Sequence, residues 1–187
     1  MKRVDENPPS RHPHRPIGEA QAPWWVAKVK PRQEKALAFD FIRQAIEYYL
    51  PLFTKVVRRK DNNKPRKSIL PLFPGYISFS AEKPRLRDAL RTNRVVNIIE
   101  IRHQKRFVDE LSQIFLALEH GIAVEPFDEV YPEGTKVLVV SGPLRGIRGV
   151  IAKIHNNNKL ILSVEGLGRA AVAVDSSQVK PDPQYNH

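Results

Sequence analysis

The period of the apolar positions changes several times along the chain, and each change predicts an element. From Trp24 to Val29, five of six residues are apolar, which predicts a short buried strand. Leu37, Phe41, Ala45 and then Tyr48 or Tyr49 recur at helical spacing after Lys30-Pro31-Arg32. Pro31 is tolerated in a first turn, and Pro51 ends the pattern. Phe53, Lys55 and Val57 alternate with Thr54, Val56 and Arg58, as in a strand. The basic stretch Arg58 to Lys67, with turn residues at its centre, reads as a hairpin tip before a second strand from Ile69 to Phe79. A short basic helix is expected over Lys83 to Arg91 and a strand over Val95 to Ile101. Phe107, Leu111, Ile114, Phe115 and Leu118 form a helical stripe within Gln104 to His120, and Gly121 sits where a left-handed cap belongs. The order β-α-β-β-α-β-α predicts an α+β domain of the split βαβ type, an antiparallel sheet backed by helices.

After Thr135 the pattern shortens. Lys136 to Val140, Ile147 to Ile154, Lys159 to Val164, Ala170 to Val174 and Gln178 to Lys180 are strand candidates, with a turn expected at Asn156-Asn157-Asn158. Five short strands in so short a stretch predict a small SH3-like β-barrel, which buries little core by itself. Between the two patterns, Glu125 to Glu133 holds Pro126, Pro132 and several acids, and reads as a linker. Residues 1–22 are rich in Pro, Arg and His and poor in apolar surface, so they are expected to be disordered. The expected organisation is an extension (1–22), a first domain (23–121), a linker (122–132), a barrel domain (133–182) and a tail (183–187).

Charge adds a class of partner. Thirty-one Lys and Arg against 20 Asp and Glu leave a formal net charge of +11 on 187 residues, which favours a polyanion such as nucleic acid. There is no cysteine, so disulfides, thiolate catalysis and Cys-based zinc sites are excluded. No apolar run approaches the ~18 residues of a membrane span, and the first residues carry no apolar core for a signal peptide. A cytoplasmic, non-membrane, monomeric protein is expected.

Catalytic patterns do not assemble. Gly142-Pro-Leu-Arg-Gly-Ile-Arg-Gly149 lacks the Gly-Lys-Ser/Thr ending of a phosphate loop and leads into a strand pattern, so its glycines are read as turn and close-approach positions. His12, His14, His103, His120, His155 and His187 show no metal-ligand spacing with a carboxylate. Asp109 and Glu110 are adjacent on a helix and face different directions. Ser141, Ser163 and Ser176 lack a nucleophile-elbow context. No enzymatic activity and no cofactor are expected.

Two motifs carry a family resemblance. Thr135-Lys-Val-Leu-Val-Val-Ser-Gly-Pro-Leu-Arg-Gly-Ile-Arg-Gly-Val-Ile151, continued by Leu162 to Val174 and Gln178-Val179, resembles the KOW motif. Pro71-Leu-Phe-Pro-Gly-Tyr-Ile77 resembles the Phe-Pro-x-Tyr strand of the NusG-family amino-terminal domain, and Trp24-Trp25 with Lys30 resembles that domain's opening. The two motifs stand in family order over about residues 24–182. The resemblance implies a bacterial transcription elongation factor with two interfaces on the first domain. Phe73, Pro74 and Tyr76 would belong to an apolar patch docking on the clamp helices of RNA polymerase's largest subunit. Ile77 or Phe79 would extend it, one of the two facing the core. The second basic run would approach non-template DNA, with Lys30, Arg32, Arg85, Arg87, Arg91, Thr92 and Arg94 as contacts, chiefly to phosphate. Leu144, Arg145 and Ile147 on the first KOW loop would meet Rho or a small-subunit ribosomal protein, although barrel packing also accounts for Ile147.

The basic hairpin, the proline-rich extension and the run Leu162 to Val174 lean toward the specialised UpxY-like and RfaH-like antiterminators of polysaccharide operons. A housekeeping NusG coupling polymerase to Rho or the ribosome is the alternative. A KOW-type ribosome- or RNA-binding module is a further rival, against which the first domain argues.

Overall fold

A computed structural model describes residues 7–58, 63–127, 134–154 and 157–182. The expected hairpin tip at 59–62, Asn156 of the expected turn, residues 128–132 of the expected linker and the tail 183–187 lie outside the described residues. The chain divides into two compact units, Met1–Arg15 with Ala20–Glu100, and Pro16–Glu19 with Ile101–His187.

In the first unit, β1 (Arg11–His12), β2 (Trp24–Val29), α1 (Glu34–Arg43), β3 (Glu47–Tyr49), β4 (Leu52–Arg58), β5 (Pro65–Pro71), β6 (Tyr76–Ser80), α2 (Leu86–Arg91) and β7 (Val95–Glu100) follow one another. Five of the strands form one sheet in the order β1-β3-β6-β2-β7, every pair antiparallel. Within it, β3-β6-β2-β7 is the split βαβ arrangement. Alternation divides each strand between the two faces. Trp25, Ala27, Val29, Tyr48, Ile77 and Phe79 enter one core with Leu37, Ala38 and Phe41 of α1 and Ala89 of α2. Phe41 lies 5.2 Å from Phe79 in a tilted ring pair, and the Trp25 indole donates to the Ala81 carbonyl at 2.9 Å. Among the described residues, strands β4 and β5 pair with each other as a separate two-stranded ribbon.

Three expectations are corrected here. Helix α1 stops at Arg43, before the Tyr residues of the expected stripe. Ala45 takes φ +49 and Ile46 N–H returns to Phe41 O at 2.8 Å, so the chain reverses. Tyr48 still reaches the same core, but from a strand, which is why helical spacing mimicked it. The expected strand Ile69 to Phe79 is two strands, because Pro71 and Pro74 cannot donate to a ladder and a turn separates them.

The third correction concerns residues 7–22, expected as part of a disordered extension. Arg11 and His12 pair with Tyr49 and Tyr48 along the edge of β3. Arg11 is buried, bonds Tyr48 O at 3.2 Å, forms an ion pair with Glu47 and stacks over Trp24 at 5.0 Å. Arg15 holds the other Glu47 oxygen at 2.6 Å, and the Tyr48 hydroxyl donates to Pro9 O at 2.8 Å. Low apolar content misled the expectation, since polar contacts and strand pairing order this segment. The pairing also covers a sheet edge that would otherwise invite association.

In the second unit, α3 (Gln104–Glu119) precedes β8 (Val124–Pro126), β9 (Thr135–Val139), β10 (Arg148–Ile154), β11 (Asn157–Val164), β12 (Gly168–Ala173) and β13 (Val179–Pro181). The strands neighbour one another in the order β13-β9-β10-β11-β12-β8. Two boundaries differ from expectation. Helix α3, assigned by sequence to domain 23–121, packs on β11 of this unit. Glu110 accepts Glu165 N–H and Gln113 accepts Arg148 N–H, each at 2.8 Å. Within residues 124–127, expected as linker, Val124–Pro126 form edge strand β8, and Phe127 joins a cluster with Ala152, Ile161 and Ala171. A Pro-bounded acidic segment looks like a linker, yet a single buried aromatic makes it part of a core. Gly149 does mark a close approach, since a Cβ there would lie 2.6 Å from Ile161 O. Gly146 does not; it is a turn residue at φ +91 with open space around it.

Candidate functional site

Pro74 and Gly75 form the centre of a turn closed by Tyr76 N–H to Phe73 O at 3.2 Å. Gly75 takes φ +83, which glycine adopts without a Cβ penalty. The turn is fixed to two neighbours: Val29 N–H donates to Gly75 O at 2.7 Å, and Gly75 N–H donates to the buried Glu34 carboxylate at 2.7 Å. It therefore sits at the end of the sheet where β2 stops, α1 begins and β6 starts.

The five proposed patch residues separate. Pro74 is exposed and Tyr76 half-buried, so both present surface. Phe73 is 4% exposed and belongs to the interior. Ile77 and Phe79 are both in the helix-side core. Positions two apart on a strand share a face, so the expectation that one of them points outward was wrong. Lys28, which sequence reasoning passed over, is exposed and directly opposite Tyr76 across the β2–β6 ladder. The available signal was Lys28 itself, the one charged residue in an otherwise apolar strand.

The cationic set separates as well. Lys30, Arg32, Arg87 and Arg91 are exposed. Lys30 stays at the turn end of the sheet, its N–H on Arg94 O at 2.9 Å and its ammonium on Asn93 at 3.0 Å. Arg91 approaches Asp88 at 3.7 Å on the surface. Three others are engaged within the protein. Arg85 donates to the Ala45 carbonyl at 3.1 Å and the Gln44 carbonyl at 2.5 Å, closing the end of α1. Arg94 bonds Asp40 at 2.6 Å and also Gln33. Thr92 Oγ1 donates to Ala89 O at 2.7 Å and accepts Arg94 N–H at 3.3 Å, closing the end of α2.

On the loop between β9 and β10, Leu144 and Ile147 are buried at 4% and 3% exposure, so packing claims them. Arg145 alone of the three is exposed. It lines a groove with His103, which precedes α3, and Asp109 and Gln113 of α3. Among the described residues no helix is long and apolar enough to cross a membrane.

The first unit is thus a split βαβ domain that presents a Pro-Gly turn and exposed cations at one end of its sheet. A family model described as transcription termination factor NusG matches residues 22–114, and over these residues the chain belongs to the NusG family of transcription factors. No curated protein matches the chain. Among solved structures, Thermotoga maritima NusG, described for its domain interaction, is 18% identical over 85% of this chain and 96% of that one, with a TM-score of 0.46. The MjSpt4:Spt5 complex in conformation B is 14% identical over 84% of this chain and 95% of that one, with a TM-score of 0.29.

Proposed function

We propose that the protein is a transcription elongation factor whose first unit docks on the clamp helices of RNA polymerase through Pro74 and Tyr76, while Lys30, Arg32, Arg87 and Arg91 meet non-template DNA. The observation that carries this reading is the placement of the exposed turn and Lys30 at one end of a single NusG-family sheet, tied by the Val29–Gly75 and Lys30–Arg94 backbone bonds. A rigid base of that kind lets protein docking and phosphate binding occur together. Bridging the two would favour a closed clamp, provided the closed state is bound more tightly than the open one. Suppression of pausing and termination follows, as in an antiterminator of a long operon. The second unit acts as a KOW module, with Arg145 as its exposed loop residue for Rho or a small-subunit ribosomal protein.

The test is co-purification with polymerase followed by single-round transcription over a long template. Shortened pauses with the wild-type chain, abolished by Tyr76→Ala, support the reading. Retention on ribosomal subunits without polymerase overturns it in favour of a ribosome-binding module.

A further inference from the structure

Among the described residues, strands β4 and β5 form a ribbon tied to the unit near its base. Leu72 N–H bonds Pro51 O at 2.8 Å, Lys35 donates to Ile69 O at 2.6 Å, and Leu52 packs on the core. Beyond that base every described residue from Thr54 to Arg58 and from Asn63 to Lys67 is exposed. A two-stranded hairpin without a packed face is at best marginally stable in water. This one moreover exposes Val56 and Val57 at 55% and 51%. Its described residues, 52–58 and 63–71, include Lys55, Arg58, Lys64, Arg66 and Lys67 and no acid.

The register assigns these cations to both faces. Val57 opposes Arg66 and Val56 opposes Lys67. Alternation then places Lys55 and Arg66 on one face, and Arg58 and Lys67 on the other. A membrane surface or a single acidic protein patch meets one face of a ribbon. A groove walled by phosphates meets both. The DNA major groove, about 12 Å wide, admits a two-stranded ribbon, and the deep, narrow major groove of duplex RNA does not.

We infer that the β4–β5 ribbon is a duplex-DNA-binding arm that enters the major groove and pairs with phosphates on both of its walls. The apolar Val56 and Val57, on opposite faces, face the groove interior and its edges. The arm acts independently of polymerase docking, so it is tested without polymerase, on the full chain.

The measurement is fluorescence anisotropy with a labelled 25-base-pair DNA duplex across a salt series. Two variants, Lys55→Gln/Arg66→Gln and Arg58→Gln/Lys67→Gln, each clear one face, and Lys105→Gln/Lys180→Gln removes equal charge elsewhere. All six positions are exposed, and circular dichroism checks the fold. Each ribbon variant should lower the slope of log affinity against log salt by about two units, one for each cation–phosphate pair removed, with the control near wild type. Slopes that change in only one ribbon variant, or equally in the control, overturn groove insertion. So do equal binding of a single-stranded oligonucleotide with the same variant dependence, or retention on phosphatidylserine vesicles but not on duplex DNA.

Discussion

The backbone N–H of Gly75 donates to the carboxylate of Glu34 across 2.7 Å, joining the surface turn to the first turn of α1. Glu34 is buried, so its charge is committed to this bond rather than to solvent. Glu34→Ala should destabilise the protein by about 1–3 kcal/mol, the cost of removing a charge-assisted bond and leaving an N–H unpaired. Glu34→Gln keeps an acceptor and should lose less. Gly75→Ala forces a Cβ into φ +83 and should cost about 1–2 kcal/mol. Urea denaturation measures all three; an Ala and a Gln variant of equal stability would show that Glu34 only fills space.

Phe73 and Tyr76 should part company under alanine substitution. Phe73 is interior, so Phe73→Ala should lose about 3–5 kcal/mol of stability. Tyr76 is half-buried beside the exposed Pro74. Tyr76→Ala should leave the melting temperature nearly unchanged and weaken polymerase binding by about 1–4 kcal/mol, as an aromatic anchor does. Equal affinity of the folded Tyr76 variant and wild type would remove the turn from the interface.

The Phe-Pro-Gly-Tyr segment shows what sequence could and could not reveal. The element order announced the split βαβ sheet, but the pattern reads Pro74 and Gly75 within one strand, Ile69 to Phe79, rather than as the turn that divides it. Which aromatic lies outside depended on where β6 begins, and the strand starts only at Tyr76. The basic run misled in a different way. Charge density cannot separate Arg87, which is exposed, from Arg85, whose guanidinium closes α1 on the Gln44 and Ala45 carbonyls. Arg11 was illegible for the same reason: its partner Glu47 lies 36 residues away, and nothing local foretells the pairing.

The same division yields a charge experiment. Lys30→Gln, Arg87→Gln and Arg91→Gln together should flatten the salt dependence of elongation-complex binding by about one unit for each cation–phosphate pair removed, with stability retained. Arg85→Gln and Arg94→Gln should instead lower stability, because each leaves carbonyl or carboxylate partners unsatisfied. A salt slope unchanged in the triple variant would mean that those side chains only face solvent.

Arg11 is the buried member of a triad with Glu47 and Arg15. Burial pulls its pKa below the ordinary arginine value, against the opposing pull of Glu47. Arg11→Ala leaves Glu47 with Arg15 as its remaining cation and removes the donor to Tyr48 O, so it should cost about 1–3 kcal/mol. Arg11→Met with Glu47→Leu should recover much of that loss, since an apolar pair of similar volume needs no desolvation. Chemical denaturation of the two single variants and the double variant gives the coupling energy; additive losses would argue that β1 and β3 are independent.

Residues 124–127 set where the second unit can be cut. Strand β8 pairs with β12 through Val124, Glu125 and Pro126, and Phe127 N–H donates to Arg169 O at 3.1 Å. The Phe127 ring packs with Ala152, Ile161 and Ala171 and lies 5.7 Å beneath the Arg169 guanidinium. A fragment of residues 133–182 lacks all of this and leaves the edge of β12 bare. A fragment of residues 101–182 keeps it, along with α3 and its bonds to Glu165 and Arg148. The longer fragment should therefore melt cooperatively at a higher temperature, and Phe127→Ala within it should lose about 3–5 kcal/mol, as for other buried aromatics. Circular dichroism should show helix in the longer fragment and strand alone in the shorter one. The β-branched residues Val137, Val139, Val150, Ile151 and Val172 favour strands, and Gly142, Gly146, Gly149, Gly166 and Gly168 would each cost a helix about 1 kcal/mol. A helical spectrum from residues 133–182 would overturn the strand assignment, and equal melting of the two fragments would return residues 124–127 to the role of a linker.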